Sequence, residues 1–290
     1  MSGVAVAHGN EARSVTDAPP GWNASLELVF GHADGRTLLE HRAHRGPLVV
    51  QKPLYPEDAA LCQCIIVHPP AGIVAGDRLA LAVQVRSRAL VQLTTPGAAK
   101  WYRSPGADAI QTFDAHVEDH ATLEWLPQGA IVYDAARARN RLTVHLANTA
   151  TIIAVDVVAL GRRAADEQFR CGEWRQRIEF VRDGAPIWSE RAVIRGGSRL
   201  FSSPAGLDGA SVVGTFVASG PAIATVPLAA LRDIARTASN IDVTLLPDVI
   251  VARYLGNSME AAHRCFWTMW SAVRPALIGR AALWPRIWRT

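Results

Sequence analysis

Between Leu26 and Val217 the chain is dominated by an alternation of apolar and polar side chains with a period of two residues. The clearest examples are LALAVQVR (79–86), ALVQLTT (89–95), ATLEWLP (121–127) and RLTVHLA (141–147). Successive side chains of a β-strand point to opposite faces, so the alternation predicts strands with one buried face. Turn signals such as Gly-Asp, Pro-Gly and Gly-Gly separate these segments. We therefore predict a mainly β fold.

Three segments align with one another: VRSRALVQLTTPG from Val85, VEDHATLEWLPQG from Val117 and LANTATIIAVDVV from Leu146. Their offsets are 32 and 29 residues, and each contains an alanine followed by apolar positions two and four residues later. A repeat of this length is typical of stacked β architectures, in which each layer buries its face on the next. Ordinary hairpins of a β-sandwich give a similar pattern, so the repeat alone leaves both architectures open.

Helical patterns occur only in the C-terminal third. PLAALRDIARTA (227–238) has an apolar stripe of helical period, and NSMEAAHRCFWTMWSAV (257–273) opens with Asn257 and Glu260 at capping-box separation. We expect Pro275 to end the second helix. Residues 1–21 carry no period and end in Pro-Pro-Gly, which predicts a mobile N-terminal tail. No linker divides residues 22–290, and we predict a single domain there.

The composition argues against several classes of protein. A chain of 290 residues buries about three quarters of its unfolded surface, so it requires neither disulfides nor a structural metal. The net charge of +4 comes from scattered arginines without a basic run, which argues against nucleic-acid binding. The longest apolar stretch, 151–160, contains Asp156 and is too short to cross a membrane. Four cysteines without zinc-site spacing and no signal peptide lead us to expect a cytoplasmic protein.

The stretch HPPAGIVAGDR (68–78) mixes residue types that occur at metal sites. His68 has no second histidine or carboxylate at ligand spacing, which favours a structural role. The prolines and glycines indicate a rigid turn, and Asp77 either caps this turn or faces a ligand.

Cys62 and Cys64 are two residues apart and so share one strand face, either as small buried residues or as ligands of a soft metal.

Asp156 interrupts the apolar run IIAVDVVAL and shares a strand face with Ala154 and Val158. An ionised carboxylate buried on such a face costs several kcal/mol unless it finds a partner. Arg162 or Arg191, backbone donors, water or a cation would each supply one.

The sequence contains no G-x-S-x-G or H-E-x-x-H motif, which argues against the common hydrolase classes. The remaining enzymatic hypothesis is a β-helix carbohydrate hydrolase, whose carboxylate cluster would consist of Asp134, Asp156 and Glu190. It would need two of them within about 10 Å of each other in an open groove. A carbohydrate-binding β module would instead need a row of exposed aromatic residues.

Two segments combine aromatic and basic side chains, as partner-binding surfaces do. TTPGAAKWYRS (94–104) lacks the two-glycine P-loop pattern, and a nucleotide site is not expected there. We predict instead a partner-binding surface that contains Lys100, Trp101, Tyr102 and Arg103. The C-terminal segment offers an alternative partner-binding surface that contains Trp284, Arg286 and Trp288.

Eight motifs occur in order along the chain: HPPAGIVAGDRL, TTPGAAKWYRS, EWLPQGAIVYDAARA, LGRRAADEQF, RDGAPIWSERAVI, VGT, LLPDVIVARYLGNS and RPALIGRAALWPRIW. Together they resemble the UreD family of urease accessory proteins, called UreH in some bacteria, over about residues 26–290. The resemblance implies a β-helix-like stack of strands with two helices, and a scaffold rather than an enzyme.

The implied partners are a UreF-type accessory protein, a UreG-type GTPase recruited through it, and apo-urease. The implied task is nickel delivery, with transient nickel and no tightly bound cofactor. For the family an internal acidic passage for nickel has been suggested, and the matching positions here are Asp77, Asp156 and Glu190. Sparse carboxylates bind nickel weakly, which suits transfer.

The chain departs from the family pattern at several positions. Ala71 and Ala75 stand where the family usually has glycine, which indicates that glycine is not essential in this turn. Gln63 stands where the family has histidine, which weakens the argument for metal handling there. Gly129 replaces a glutamate and Arg163 a proline.

Overall fold

The computed structural model describes residues 21–238 and 240–289. The predicted mobile tail lies outside the described residues, except for Gly21. In the described part the chain forms eighteen strands and two α-helices, and the helices follow most of the strands. The predicted mainly β class with two late helices is therefore confirmed.

The strands are β1 (Asn23–Ala33), β2 (Arg36–Arg45), β3 (Val49–Val50), β4 (Leu61–Val67), β5 (Arg78–Val85), β6 (Leu90–Thr94), β7 (Ala99–Trp101), β8 (Ala109–Val117), β9 (Thr122–Leu126), β10 (Ala130–Val132), β11 (Arg137–Leu146), β12 (Thr151–Arg162), β13 (Glu167–Gln168), β14 (Glu173–Arg182), β15 (Ala185–Arg195), β16 (Val212–Ser219), β17 (Ile241–Leu245) and β18 (Ile250–Gly256). The helices are α1 (Leu228–Ala238) and α2 (Met259–Ile278).

Two sheets contain these strands. Sheet 1 has the order β15-β14-β11-β8-β5-β1-β2, and sheet 2 has the order β17-β18-β16-β12-β9-β6-β4-β3, with β7, β10 and β13 attached beside β12. From β4 to β14 the long strands alternate between the sheets, and their neighbours are parallel. Each coil of the chain therefore adds one strand to each sheet, as in a β-helix.

The strand register reproduces the sequence repeat. In sheet 1, Val85 pairs with Val117, and Val117 pairs with Leu146. The same offsets of 32 and 29 residues relate β6 to β9 and β9 to β12 in sheet 2. The repeated alanines are fully buried and donate to the carbonyl three residues earlier in equivalent turns: Ala89, Ala121 and Ala150. The stacked architecture, rather than a sandwich of hairpins, is confirmed.

The sheets pack face to face, and sheet 2 is also covered on its outer side. In β12, Ala154 and Val158 belong to the hydrophobic core between the sheets. Val155 and Val157 belong to a second apolar cluster, which they form with α1 and α2. Asp156 therefore points into the space between the sheets, as its alternation predicts.

Helix α2 differs from the sequence prediction at both ends. Its N-cap is Ser258, whose hydroxyl accepts the N–H of Ala261, so the predicted cap at Asn257 is wrong by one residue. The helix also continues past Pro275 and ends at Gly279, whose φ of +68° suits glycine. The expected stop is wrong because tertiary packing buries Val273, Arg274 and Leu277 around the proline and holds the last turn. None of the described helices is both long and apolar enough to cross a membrane.

Candidate functional site

A cavity of about 550 Å³ lies between the inner faces of the two sheets. Most of its wall is apolar and includes Leu81, Phe113 and Trp125. Asp156 is the single carboxylate among its lining residues. The position that breaks the apolar run of β12 is thus the one that gives this cavity an acidic group.

Asp156 is held by the side chain of Gln176 from the opposite sheet. The Nε2 of Gln176, on β14, donates to its Oδ2 at 2.7 Å. The pKa of Asp156 is raised to about 7, mainly by burial and also by the nearby Glu190, while the hydrogen bond from Gln176 and the charge of Arg253 oppose the shift. The carboxyl group is therefore poised to exchange a proton near neutral pH.

The two arginines considered as partners of Asp156 are engaged elsewhere. Arg162 forms an ion pair with Glu167 at 2.6 Å. Arg191 lies 3.6 Å from Glu179. That expectation is wrong, and a neutral amide takes their place.

A second cavity of about 190 Å³ is lined by Gln176, Glu190 and Arg253 together with apolar residues. Glu190 accepts a hydrogen bond from the Oγ1 of Thr215 at 3.1 Å and forms an ion pair with Arg253. In the strand register of sheet 2, Asp156 on β12 lies opposite Thr215 on β16, and Thr215 lies opposite Arg253 on β18. We refer to these five residues as the interior polar cluster: Asp156, Gln176, Glu190, Thr215 and Arg253.

Asp77 lies apart from the interior polar cluster. Its carboxylate accepts the backbone N–H of Trp22 at 2.8 Å and that of Val74 at 2.9 Å, so it caps the turn before β5. His68 lines the larger cavity, and burial lowers its pKa while Asp77 acts in the opposite direction. The structure thus brings together two of the three predicted acidic residues, Asp156 and Glu190.

Cys62, Cys64 and Asp134, which were also candidates for a metal or catalytic site, have structural roles instead. Cys62 and Cys64 share the inner face of β4, with their sulfurs 4.0 Å apart, and both belong to the core between the sheets. The Oδ1 of Asp134 accepts the N–H groups of Arg170 and Cys171 at 2.7 and 2.8 Å. Asp134 therefore closes a loop and does not join the interior polar cluster. The two carboxylates of the hydrolase hypothesis that do lie together, Asp156 and Glu190, are in the space between the sheets, and the Glu190 side chain is only 11% exposed.

The first predicted partner surface is only partly a surface. The side chain of Trp101 is 1% exposed and packs edge-on against Trp174 with ring centroids 5.3 Å apart. Trp101 thus belongs to the core, and its predicted place on the surface is wrong. Lys100 and Tyr102 are half-buried, whereas Arg103 is exposed.

The C-terminal segment folds back onto α2. Trp288 stacks on Trp267 at 4.0 Å, and its Nε1 donates to the Oγ1 of Thr94 at 2.8 Å. The Nε1 of Trp284 donates to the hydroxyl of Ser271 at 3.2 Å. Both tryptophans of the second predicted partner surface remain partly exposed, and Arg286 is exposed.

Sequence reasoning missed a buried polar ladder beneath α2. Gln63 donates to Gln92, and Gln92 donates to Glu124 at 3.0 Å. Glu124 also accepts from the indole of Trp270 at 2.6 Å and from Arg274 at 3.0 Å. The spacing of Gln63, Gln92 and Glu124 equals that of the paired strands, so the repeat contained the signal for the ladder.

A family model described as UreD urease accessory protein matches residues 23–289. The chain belongs to the UreD family. The urease accessory protein UreD of Dechloromonas aromatica (strain RCB) is 47% identical to it over 275 residues, which is 93% of this chain and 96% of that relative. The UreD protein of Azoarcus sp. (strain BH72) is 42% identical over 281 residues, which is 97% of this chain and 99% of that relative. These alignments extend UreD similarity over nearly the whole stack and both helices.

Proposed function

We propose that this chain is a urease accessory protein that helps to carry nickel to apo-urease. It acts as a scaffold rather than an enzyme, and it binds a UreF-type partner, through which a UreG-type GTPase joins the assembly. Membership in the UreD family supports the accessory role. The observation that carries the nickel part of the proposal is the interior polar cluster, where the half-buried residues Asp156 and Glu190 line two neighbouring cavities between the sheets.

The chemistry of the cluster suits a metal ion in transit. Nickel is bound tightly by imidazole and thiolate ligands and more weakly by sparse carboxylate, amide and hydroxyl oxygens. Asp156, Gln176 and Thr215 offer such oxygens within the interior polar cluster. Because burial raises the pKa of Asp156 to about 7, a proton competes with an arriving cation near neutral pH, which keeps metal binding weak and suits transfer.

Arg253 gives the cluster a connection to solvent. Its side chain is 46% exposed, whereas that of its ion-pair partner Glu190 is 11% exposed. A guanidinium this accessible can turn outward and free the Glu190 carboxylate for a cation. In this proposal Asp77 holds the turn that supports the cavity wall, and His68 is an accessory donor on that wall.

The test is urease activation in cells that contain the UreF-type and UreG-type partners. Wild type is compared with Asp156→Ala and with Asp156→Asn, which keeps the size of the side chain and removes its charge. The matched control is Asp233→Asn, which removes an exposed carboxylate on α1. A pull-down of the partners from the same cells monitors assembly of the complex.

Loss of urease activity from an intact complex in both Asp156 variants, with full activity in Asp233→Asn, is the expected result. Full activity in the Asp156 variants would contradict the nickel path and leave the chain as a docking scaffold. Loss of urease activation in the control as well would contradict a specific role for the interior carboxylate.

A further inference from the structure

We propose that the outer face of sheet 1 carries a second metal site, formed by Asp114, His116 and His145, for a borderline divalent cation such as Ni²⁺ or Zn²⁺. Within the described part of the chain, this is the one group of three His, Cys, Asp or Glu side chains whose potential ligand atoms lie close enough to share a metal ion. The site lies on the solvent side of the stack, whereas Asp156 points into the stack from the other sheet. It is therefore independent of the interior polar cluster.

The parallel register of the stack creates this grouping. His116 on β8 and His145 on β11 are direct partners across the two strands. Asp114 precedes His116 by two residues and so lies on the same face of the sheet. Residues 29 positions apart are thus held side by side on rigid backbone, which is the support that a metal site requires.

The donor atoms already converge. The Nε2 of His116 lies 3.2 Å from the Oδ1 of Asp114, and the Nε2 of His145 lies 3.8 Å from the Oδ2. The two imidazole rings are stacked with centroids 4.5 Å apart, and one ligand atom from each of the three residues fits within 4.8 Å of the others. Ligand distances of about 2.0–2.1 Å around a cation require small rotations, which the exposed side chains can make.

The donor set selects the class of ion. Two imidazoles and one carboxylate suit zinc, nickel and copper, whereas magnesium and calcium prefer oxygen ligands alone. Three ligands on one flat sheet face leave the remaining coordination positions open toward solvent. Water fills them in the free chain, and a group from another molecule can replace that water.

The experiment uses the full-length chain without a histidine tag. Isothermal titration with NiCl₂ and, separately, with ZnCl₂ measures the binding stoichiometry and affinity. Electron paramagnetic resonance of bound Cu²⁺ then reports the number of coordinated imidazole nitrogens. The variants are His116→Gln and His145→Gln, and the matched control is His41→Gln, an exposed histidine of the same sheet outside the ligand group. Asp156→Asn is included to separate the two proposed sites.

We expect wild type, His41→Gln and Asp156→Asn to bind the metal ion at one site with the same affinity. In His116→Gln and His145→Gln the affinity should fall by at least about tenfold. The copper spectrum should show two nitrogens in wild type and one in each of these two variants. Wild-type affinity in both histidine variants would overturn the proposal. It would also be overturned if His41→Gln or Asp156→Asn removed the same binding event, because binding would then be nonspecific or internal.

Discussion

Glu124 on β9 and Arg274 on α2 form an ion pair in which neither side chain is exposed to solvent, with the guanidinium Nε 3.0 Å from the carboxylate. Arg274 also pairs with Glu57 at 2.7 Å and donates to the carbonyl of Ala281, so it joins the sheet, the helix and the C-terminal segment. Removal of one member of such a pair leaves an uncompensated buried charge.

We expect Arg274→Met to lower the free energy of unfolding by about 3–5 kcal/mol. The double variant Glu124→Gln/Arg274→Met should recover part of that loss, because glutamine removes the stranded charge and keeps an acceptor for the indole of Trp270. Urea unfolding of the two single variants and the double variant measures both effects. A double variant as unstable as the sum of the single changes would show that the two residues are not coupled.

Trp288 closes the C-terminal segment over α2, since it stacks on Trp267 and donates to Thr94. We expect Trp288→Ala to cost about 1–3 kcal/mol and to release the segment beyond residue 280. Limited tryptic digestion should then cleave at Arg280 and Arg286 faster than in wild type. Leu283→Ala, which truncates an exposed apolar side chain of the same segment, is the control and should digest like wild type.

Ala71 adopts a left-handed backbone conformation with φ +62°, which is unfavourable for residues that carry a Cβ. Ala71→Gly should therefore raise the free energy of unfolding by about 0.5–1 kcal/mol. This figure is the net gain after the entropy that glycine loses on folding. Ala75 does not have a positive φ, so Ala75→Gly should be neutral or destabilising. Chemical denaturation of the two variants provides a matched comparison, and equal effects would argue against a backbone origin.

His263 on α2 stacks on Trp267, and burial lowers its pKa to about 4 from the usual 6.5. Between these values the unfolded chain binds more protons at this residue than the folded chain does. The contribution of His263 to stability is thus fully present above pH 6.5 and is lost as the pH falls toward 4. We expect His263→Phe, which keeps a ring and cannot ionise, to lose less stability than wild type between pH 7 and 4.5 in urea unfolding. Parallel pH profiles would contradict this assignment.

The strand stack could be predicted from sequence because its register repeats the same offsets that relate Val85 to Val117 and Val117 to Leu146. The end of α2 could not, since Pro275 is a local stop signal that packing around Val273 and Leu277 overrides. Local patterns thus gave the architecture and failed where distant residues decide the outcome.

The candidate site shows the same division. The face on which Asp156 lies followed from alternation, but its neighbours Gln176 and Arg253 come from strands whose positions no local pattern fixes. Asp77 was predicted to share that space, and only its backbone partners Trp22 and Val74 reveal that it is a cap. The pairing of His116 with His145 follows the 29-residue offset of the repeat, so it could have been predicted from the sequence.

The constant spacing of strand partners also sets an order for folding. Each coil between β4 and β12 closes a loop of 29 or 32 residues, whereas Glu124 and Arg274 are 150 residues apart. Loop closure costs about 0.6 kcal/mol more for each doubling of length, so we expect the coils to stack before α2 docks. During synthesis the stack can form while α2 is still inside the ribosome. Until that helix emerges and docks, the outer face of sheet 2 that carries Glu124 has no helical cover.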